Sequence, residues 1–276
     1  MKIIVTHCNP DLDAITSIWI IKRFWPGWKK AEFSFVPAGE TYKGLPVDSN
    51  PQILHVDTGL GKYDHHQTSD FICAAMLCWQ KCRLFGREKE AMERILEIVC
   101  EVDHARDINW PEAMNDRYFF FLEEILGGLN SIRQDDKEVV EFGLTALDSV
   151  LKVTRDRVFA EEILEGPEVI KFKTKWGKGV GVVTSNEAIL VVGEKMGYSL
   201  VVKKDKKRGD VRIYSRWDRG VDLTNVYHQL KALDPRATWF LHSSHCLLLN
   251  GSSRNPKMKP TKLSLEKMIE ILKKSN

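Results

Sequence analysis

Apolar residues in the first part of the chain fall alternately into short β-branched runs and helix-length stretches. Residues 2–6 carry Ile3, Ile4 and Val5 in succession, a buried-strand pattern. Asn9-Pro10-Asp11 breaks that run, and from Asp13 onward Ala14, Ile15, Ile18, Trp19 and Ile21 recur at helical spacing. Residues 32–36 and 53–56 repeat the strand pattern, and residues 71–85, 88–101, 117–126 and 137–164 read as helices. This alternation predicts an α/β fold in which a parallel sheet is flanked by helices. After Glu165-Gly166-Pro167 the pattern changes to strand-like runs at 169–172, 179–184, 188–192, 199–203 and 211–215. A helix at 223–233, strands at 239–242 and 246–249, and an amphipathic helix at 263–274 complete a smaller mixed-sheet α+β domain. Two domains are therefore expected, residues 1–165 and 168–276.

Length supports that division, since 276 residues exceed one average domain. A formal net charge of +3 does not by itself point to nucleic acid. No apolar stretch approaches the roughly 20 residues needed to span a bilayer, and the N-terminal strand pattern lacks a basic n-region and cleavage site. A cytoplasmic protein with no membrane partner is expected. The cysteines fit that compartment: Cys73, Cys78 and Cys82 share one predicted helix, Cys8, Cys100 and Cys246 are scattered, and none has structural zinc spacing.

Chemistry concentrates at the ends of the first strands. His7 ends the first run and is followed by Asp11 and Asp13; Asp57 ends the run at 53–56; Asp64-His65-His66 comes seven residues later. Taken alone, Asp11 and Asp13 serve equally well as a turn residue and a helix N-cap. His55 reads as a satisfied core histidine. Two strand ends terminating in carboxylates and imidazoles are what a two-metal phosphoryl-transfer centre requires, and the carboxyl end of a strand is where open α/β sheets place their sites.

The set His-x-Asn-Pro-Asp-x-Asp-Ala-x-x-Ser from His7, Val56-Asp57-x-Gly59 and Asp64-His65-His66 resembles the DHH phosphoesterase superfamily, across about the first 70 residues. The resemblance implies that His7 and Asp11 hold one metal ion, Asp13 and His65 the other, and that Asp57 bridges them. It implies that His66 faces the substrate phosphate, so that Asp57 and His66 are the catalytic pair, and that a fourth motif supplies Asp103 as a ligand, with Asp107 in reserve. Leu12 departs from the small residue many relatives carry. The carboxyl-terminal Gly-Gly-Gly-His turn of many relatives is missing. Its nearest counterparts are Leu241-His242-Ser243-Ser244-His245 and Asn250-Gly251-Ser252-Ser253-Arg254, so His242, Ser243, Ser244, Gly251 and Arg254 become the expected substrate contacts, together with Arg216.

The function so implied is two-metal hydrolysis of a phosphate ester or anhydride, in a nucleotide or short oligonucleotide. An oxygen-rich set with imidazoles suits two divalent ions, Mn²⁺ first, with Mg²⁺ or Co²⁺ as substitutes. Two other readings compete: a catalytically silent nucleotide sensor, and a single-strand nucleic-acid-binding protein that uses the Lys203–Arg208 and Lys257–Lys262 clusters. Lysine-rich turns more often keep a sheet edge soluble, and that reading is preferred here. Gly59-Leu60-Gly61-Lys62 lacks the length of a phosphate-binding P-loop. Oligomeric state is not legible.

Overall fold

A computed structural model describes residues 1–132, 135–252, 254–255 and 257–275 of the chain. The chain is of the α/β class and divides into two compact units, Met1–Arg155 and Asp156–Asn276.

In the first unit, β1 (Ile3–His7) is the middle strand of a three-stranded parallel sheet, with β2 (Glu32–Val36) on one side and β3 (Ile53–His55) on the other. Helix α1 (Leu12–Phe24) begins at Asp11, whose side chain accepts a hydrogen bond from the Ala14 N–H as N-cap. Every residue from Leu12 to Ile21 is buried, because α2 (Ala74–Trp79), α3 (Gly86–Asp103), α4 (Leu122–Ile132) and β1 all pack on this helix. On a helix covered on all sides most polar groups need partners. Trp19 Nε1 donates to Asp148 of α5 (Asp136–Glu165) at 3.0 Å and Arg23 pairs with the same carboxylate, whereas the buried Thr16 Oγ1 has no hydrogen-bond partner among the described residues.

Helix α5 extends across the division between the units. The boundary expected at Glu165-Gly166-Pro167 falls instead after Arg155, because Ala160 and Leu164 near the end of α5 are buried against Val180, Val182 and Leu190 of the second unit. Composition marks where a helix stops; packing decides which unit its last turns join.

The second unit is built on a six-stranded sheet, order β4-β5-β6-β7-β9-β8. Its strands are β4 (Ile170–Thr174), β5 (Gly177–Val183), β6 (Leu200–Lys204), β7 (Val211–Tyr214), β8 (Trp239–Leu241) and β9 (Leu247–Asn250). Only β5 and β6 pair in parallel, and parallel neighbours need a crossover. That crossover is α6 (Ile189–Lys195), where the sequence pattern predicts a strand at 188–192. Short apolar runs fit either state, and tertiary context decides this one. Asn186 Oδ1 accepts from the Ala188 N–H at 2.9 Å, and Gly193 seats against Val201, whose Cγ2 would lie 2.7 Å from an added Cβ. One sheet face is buried under α7 (Thr224–Leu233) and α8 (Leu265–Lys274), through Leu200, Val202, Ile213, Leu230 and Met268.

Two further helices depart from their patterns. Residues 71–85 give only Ala74–Trp79, and 117–126 split into a 3-10 turn, Asp116–Phe120, followed by α4. Among the described residues no helix is long and apolar enough to cross a membrane.

The approach of α5 to α1 rests on Gly143, where an added Cβ would lie 2.5 Å from Ile15 Cγ2. Gly143→Val should therefore destabilise the protein by about 1–3 kcal/mol through overpacking, read as a lowered urea midpoint at unchanged slope. An unchanged midpoint would show that α5 is not seated on α1 at this point.

Candidate metal centre

The carboxyl ends of β1 and β3 lie side by side and deliver His7 and Asp57 to one place. Val56 N–H still bonds to Val5 O at 2.9 Å, and the chain then turns sharply, with Asp57 at φ 55° and Gly59 at φ 80°. The turn is held by Asp57 N–H to Tyr63 O at 3.0 Å and by Thr58, whose hydroxyl accepts from Gly39 N–H and donates to Glu40 O. Asn9, Leu60 and Ala105, in the other loops of the site, are also left-handed. Non-glycine residues in that region cost about 1–3 kcal/mol each and cluster where geometry is imposed by a site.

Asp57 is buried. Its Oδ2 lies 3.2 Å from His7 Nε2, and its Oδ1 lies 3.4 Å from His65 Nε2 and 3.6 Å from His66 Nδ1. Asp11 Oδ2 is 3.7 Å from His7 Nε2. On the other side His65 Nε2 is 3.5 Å from Asp103 Oδ2 and 3.8 Å from Asp13 Oδ2. The structure thus brings His7, Asp11, Asp13, Asp57, His65, His66 and Asp103 together. At the end of α3 it is Asp103, not Asp107, that reaches His65.

Asp13 has a second task. Both of its oxygens accept backbone N–H groups at the start of α2, from Ala74 and Ala75, each at 2.8 Å. Asp64 is likewise engaged: Oδ2 accepts from Leu60 N–H at 2.7 Å, and Oδ1 faces His66 Nδ1 at 2.8 Å. With Nδ1 taken by that carboxylate, His66 is left with Nε2 for an incoming group, and its side chain is 58% exposed.

Four contributors escape a reading of sequence. His104 caps α3, its Nδ1 lies 2.9 Å from Cys100 O and 3.1 Å from Asp103 Oδ2, and its ring packs on Phe71. Glu123 of α4 accepts from Leu12 N–H at 3.1 Å, Asn130 Nδ2 donates to Pro10 O, and Asp136 accepts from Asn9 N–H, so α4 and α5 clamp the loop that carries Asp11. Only the His104 signal lies in the sequence, next to Asp103; the clamps join residues more than a hundred positions apart.

The electrostatics follow from crowding. Burial is the largest influence on His7 and would lower its pKa, but the Asp57 hydrogen bond, Cys8 O and Asp11 outweigh it and lift it to about 9. The Asp57 carboxylate lifts His65 to about 9 against burial. Burial works on Asp57 in the opposite sense, yet His65 and His7 hold it below the usual carboxylate range. Asp13 is raised by burial and by Asp57 and Asp103; Asp11 is raised by burial and Asp57. Glu123 is pushed up to about 7 by burial and Asp11.

Three buried atoms here have no hydrogen-bond partner: Asp57 Oδ1, His65 Nε2 and Asp103 Oδ2. Separations of 3.4–3.5 Å between them are long for hydrogen bonds but suit two ligands on one ion, since bonds of about 2.1 Å place ligand atoms about 3–3.5 Å apart. Three overlapping groups have ligand atoms within 4.8 Å of one another: His7, Asp11 and Asp57; Asp57, His65 and His66; His65, Asp103 and His104. Asp57 and His65 each belong to two of them. The residues present therefore fit divalent cations.

The expected contacts in the second unit are not one cluster. His242, Ser243 and Ser244 form the turn before β9, with Arg216 beside them because β7 pairs with β9; Gly251 and Arg254 follow β9 at its other end. Four strand residues separate these ends by roughly 13 Å. Arg216 is paired with Asp218, and His242 Nδ1 is 2.8 Å from Ser244 Oγ. Gly251, at φ 76°, is structural, since a Cβ there would overlap Met258. Ser253, within the same expected loop, lies outside the described residues.

An α/β unit with a cluster of carboxylates and imidazoles at its strand ends is the class of protein these features define. The chain belongs to the family described as ChrB, C-terminal domain, whose profile matches residues 4–154, nearly the whole first unit. The motifs are similar to the DHH superfamily, whereas the matching profile is that of the ChrB C-terminal domain. Among solved structures, an uncharacterized protein from Helicobacter pylori G27 aligns at 11% identity and TM-score 0.26, over 98% of this chain and 97% of that one. The DHH domain of a protein described as a member of a family of ribosomal proteins aligns at 11% identity and TM-score 0.30, over 98% and 85%. No curated protein matches the chain.

Protonation of His7 and His65 is linked to folding. Their folded pKa values, about 9, lie above the unfolded value of about 6.5, so the folded state binds more protons between those limits. Their contribution is fully present below pH 6.5 and is lost as pH rises through 9. With chelator present, stability by chemical denaturation should fall over that window, and His65→Asn should flatten the fall. A profile as steep in the variant would place the linked protons elsewhere.

Proposed function

We propose that the protein is a cytoplasmic, metal-dependent phosphohydrolase of the DHH type. It would cleave a phosphate ester or anhydride in a nucleotide or short oligonucleotide, using two divalent ions with Mn²⁺ preferred. The observation that supports this most is the convergence of Asp57 Oδ1, His65 Nε2 and Asp103 Oδ2, buried and without hydrogen-bond partners among the described residues, at the carboxyl edge of a parallel sheet. A site built only to bind a nucleotide has little use for carboxylates that repel both one another and phosphate.

In this reading His7, Asp11 and Asp57 would hold one ion, and His65, Asp13 and Asp103, with Asp57, would hold the other. Divalent ions bound there supply Lewis acidity and a water of lowered pKa. Asp57 keeps its negative charge because two imidazoles face it. Asp64 orients His66 through Nδ1, so that Nε2 would be free to meet a phosphoryl oxygen as charge builds there. Glu123, Asn130 and Asp136 fix the backbone on either side of Asp11 and thereby its carboxylate. All six cysteines are free.

The test is a substrate panel of pyrophosphate, a nucleotide phosphoester, a short oligonucleotide and a cyclic dinucleotide, run with Mn²⁺ and with chelator. Turnover should require the metal. Asp57→Asn should abolish both turnover and bound metal. His66→Ala should retain the metal while kcat falls by about 10² to 10³, the scale for one lost transition-state donor. Absence of Mn²⁺-dependent hydrolysis across the panel would refute the enzyme. Metal loss in His66→Ala would instead make His66 a ligand, as its 3.6 Å approach to Asp57 permits.

A further inference from the structure

The second unit contains a cavity of about 710 Å³ that the hydrolase reading does not use. Its origin is the strand period. On β7, Val211 and Ile213 face the core under α7 and α8, so Arg212 and Tyr214 face the opposite side. Their register partners on β9, Leu249 and Leu247, share that side. Helix α6 covers the same face only over β5 and β6, which leaves a trough beside Leu190 over β7 and β9.

Its charge is unbalanced. Lys203 on β6, 1% exposed, lies directly opposite Arg212, a like-charged cross-strand pair that is unfavourable alone. Glu187 lies between them, 2.5 Å from Lys203 Nζ and 2.8 Å from Arg212 Nη1, and also meets Arg208 at 3.5 Å. One carboxylate thus serves three cations. Asp205 accepts the backbone N–H groups of Lys207 and Arg208 and also lies 3.5 Å from Arg208 and 3.9 Å from Lys203, while Asp210 is paired with the Arg208 fork. Lys207 and Arg254 also line the cavity, and among the described residues neither side chain has an ionic partner. Five cations therefore stand against three carboxylates, around a wall made by Tyr214, Leu247 and Leu249.

We infer that this cavity binds a phosphorylated nucleoside, with the phosphate groups on Arg254 and Lys207 at the Arg212 side and the base against Tyr214 and the leucines. Its volume lies within the roughly 300–1,000 Å³ of small-molecule sites. A guanidinium with no ionic partner among the described residues offers a fork matched to phosphate, and the Lys203–Glu187–Arg212 set, anchored on the buried Lys203, forms a floor of net positive charge. The site is complete within the second unit and requires no metal. It goes beyond the hydrolase reading and does not depend on it.

Calorimetric titration of the full-length protein in excess EDTA tests this, with ADP and UDP as purine and pyrimidine probes. At least one of the two should bind, and adenosine, uridine and inorganic phosphate should each bind at least about tenfold more weakly. Arg254→Ala and Lys207→Ala, both exposed positions that leave the fold intact, should each weaken the nucleotide by about tenfold or more. Asp57→Asn should leave its affinity unchanged. The inference is overturned if neither nucleotide binds in EDTA, if the free nucleosides bind as tightly, if both surface variants bind like wild type, or if Asp57→Asn removes binding.

Discussion

The crowding of carboxylates at the edge of the first unit's sheet is the constraint on which the rest of that unit depends. Asp13, Asp57 and Asp103 meet around His65, with Asp11 on the far side of Asp57. Like charges in a place where water is scarce cannot all remain ionised unless something positive joins them. The protein answers in three ways. Asp13 takes two N–H groups from α2, Asp57 takes two imidazoles whose pKa values rise to about 9, and Asp103 and Asp11 shift upward. Divalent cations would relieve all of these at once and release the imidazole protons, which couples ion binding to pH.

The same constraint explains the backbone. A ligand loop under electrostatic strain must be held from outside, and Asn9, Asp57, Leu60 and Ala105 are held in left-handed conformations by named bonds. At the end of α3, Arg106 N–H reaches Glu101 O at 2.8 Å and Ala105 N–H reaches Val102 O at 2.9 Å, the paired bonds of a Schellman ending. The position that would suit glycine is filled by alanine, and the turn keeps Asp103 and His104 in register against His65.

Much of this was legible in the sequence because the informative signals were local. A β-branched run followed by His7 and Asn-Pro-Asp, and a second run ending in Asp57, mark strand ends whatever lies around them. Their neighbourhood followed from one rule of parallel sheets. What escaped reading depends on long-range packing. Residues 188–192 carry strand-like apolar residues, but the parallel β5–β6 pair requires a helix there. Glu123 and Asp136 look like ordinary acidic residues near helix starts until the fold brings them to Leu12 and Asn9. In the second unit, proximity in sequence was misleading: the His242–Ser244 turn and Gly251–Arg254 are close along the chain but lie at opposite ends of β9.

The two units also differ in how they treat crowded charge, and the difference bears on what each can do. In the first, anions outnumber the fixed cations, and histidines, which can give up their protons, supply the balance. In the second, fixed cations outnumber anions: Lys203 and Arg212 stand opposite one another and share Glu187. Neither arrangement is what stability alone would select, since apolar residues of similar volume usually serve a core as well or better. The acidic cluster offers carboxylates and imidazoles to a cation, whereas the lysine and arginine face, with more cations than the carboxylates of Glu187, Asp205 and Asp210, offers positive charge to an anion. Each unit thus carries a charge imbalance of opposite sign, and each imbalance sets the kind of ligand its surroundings can hold.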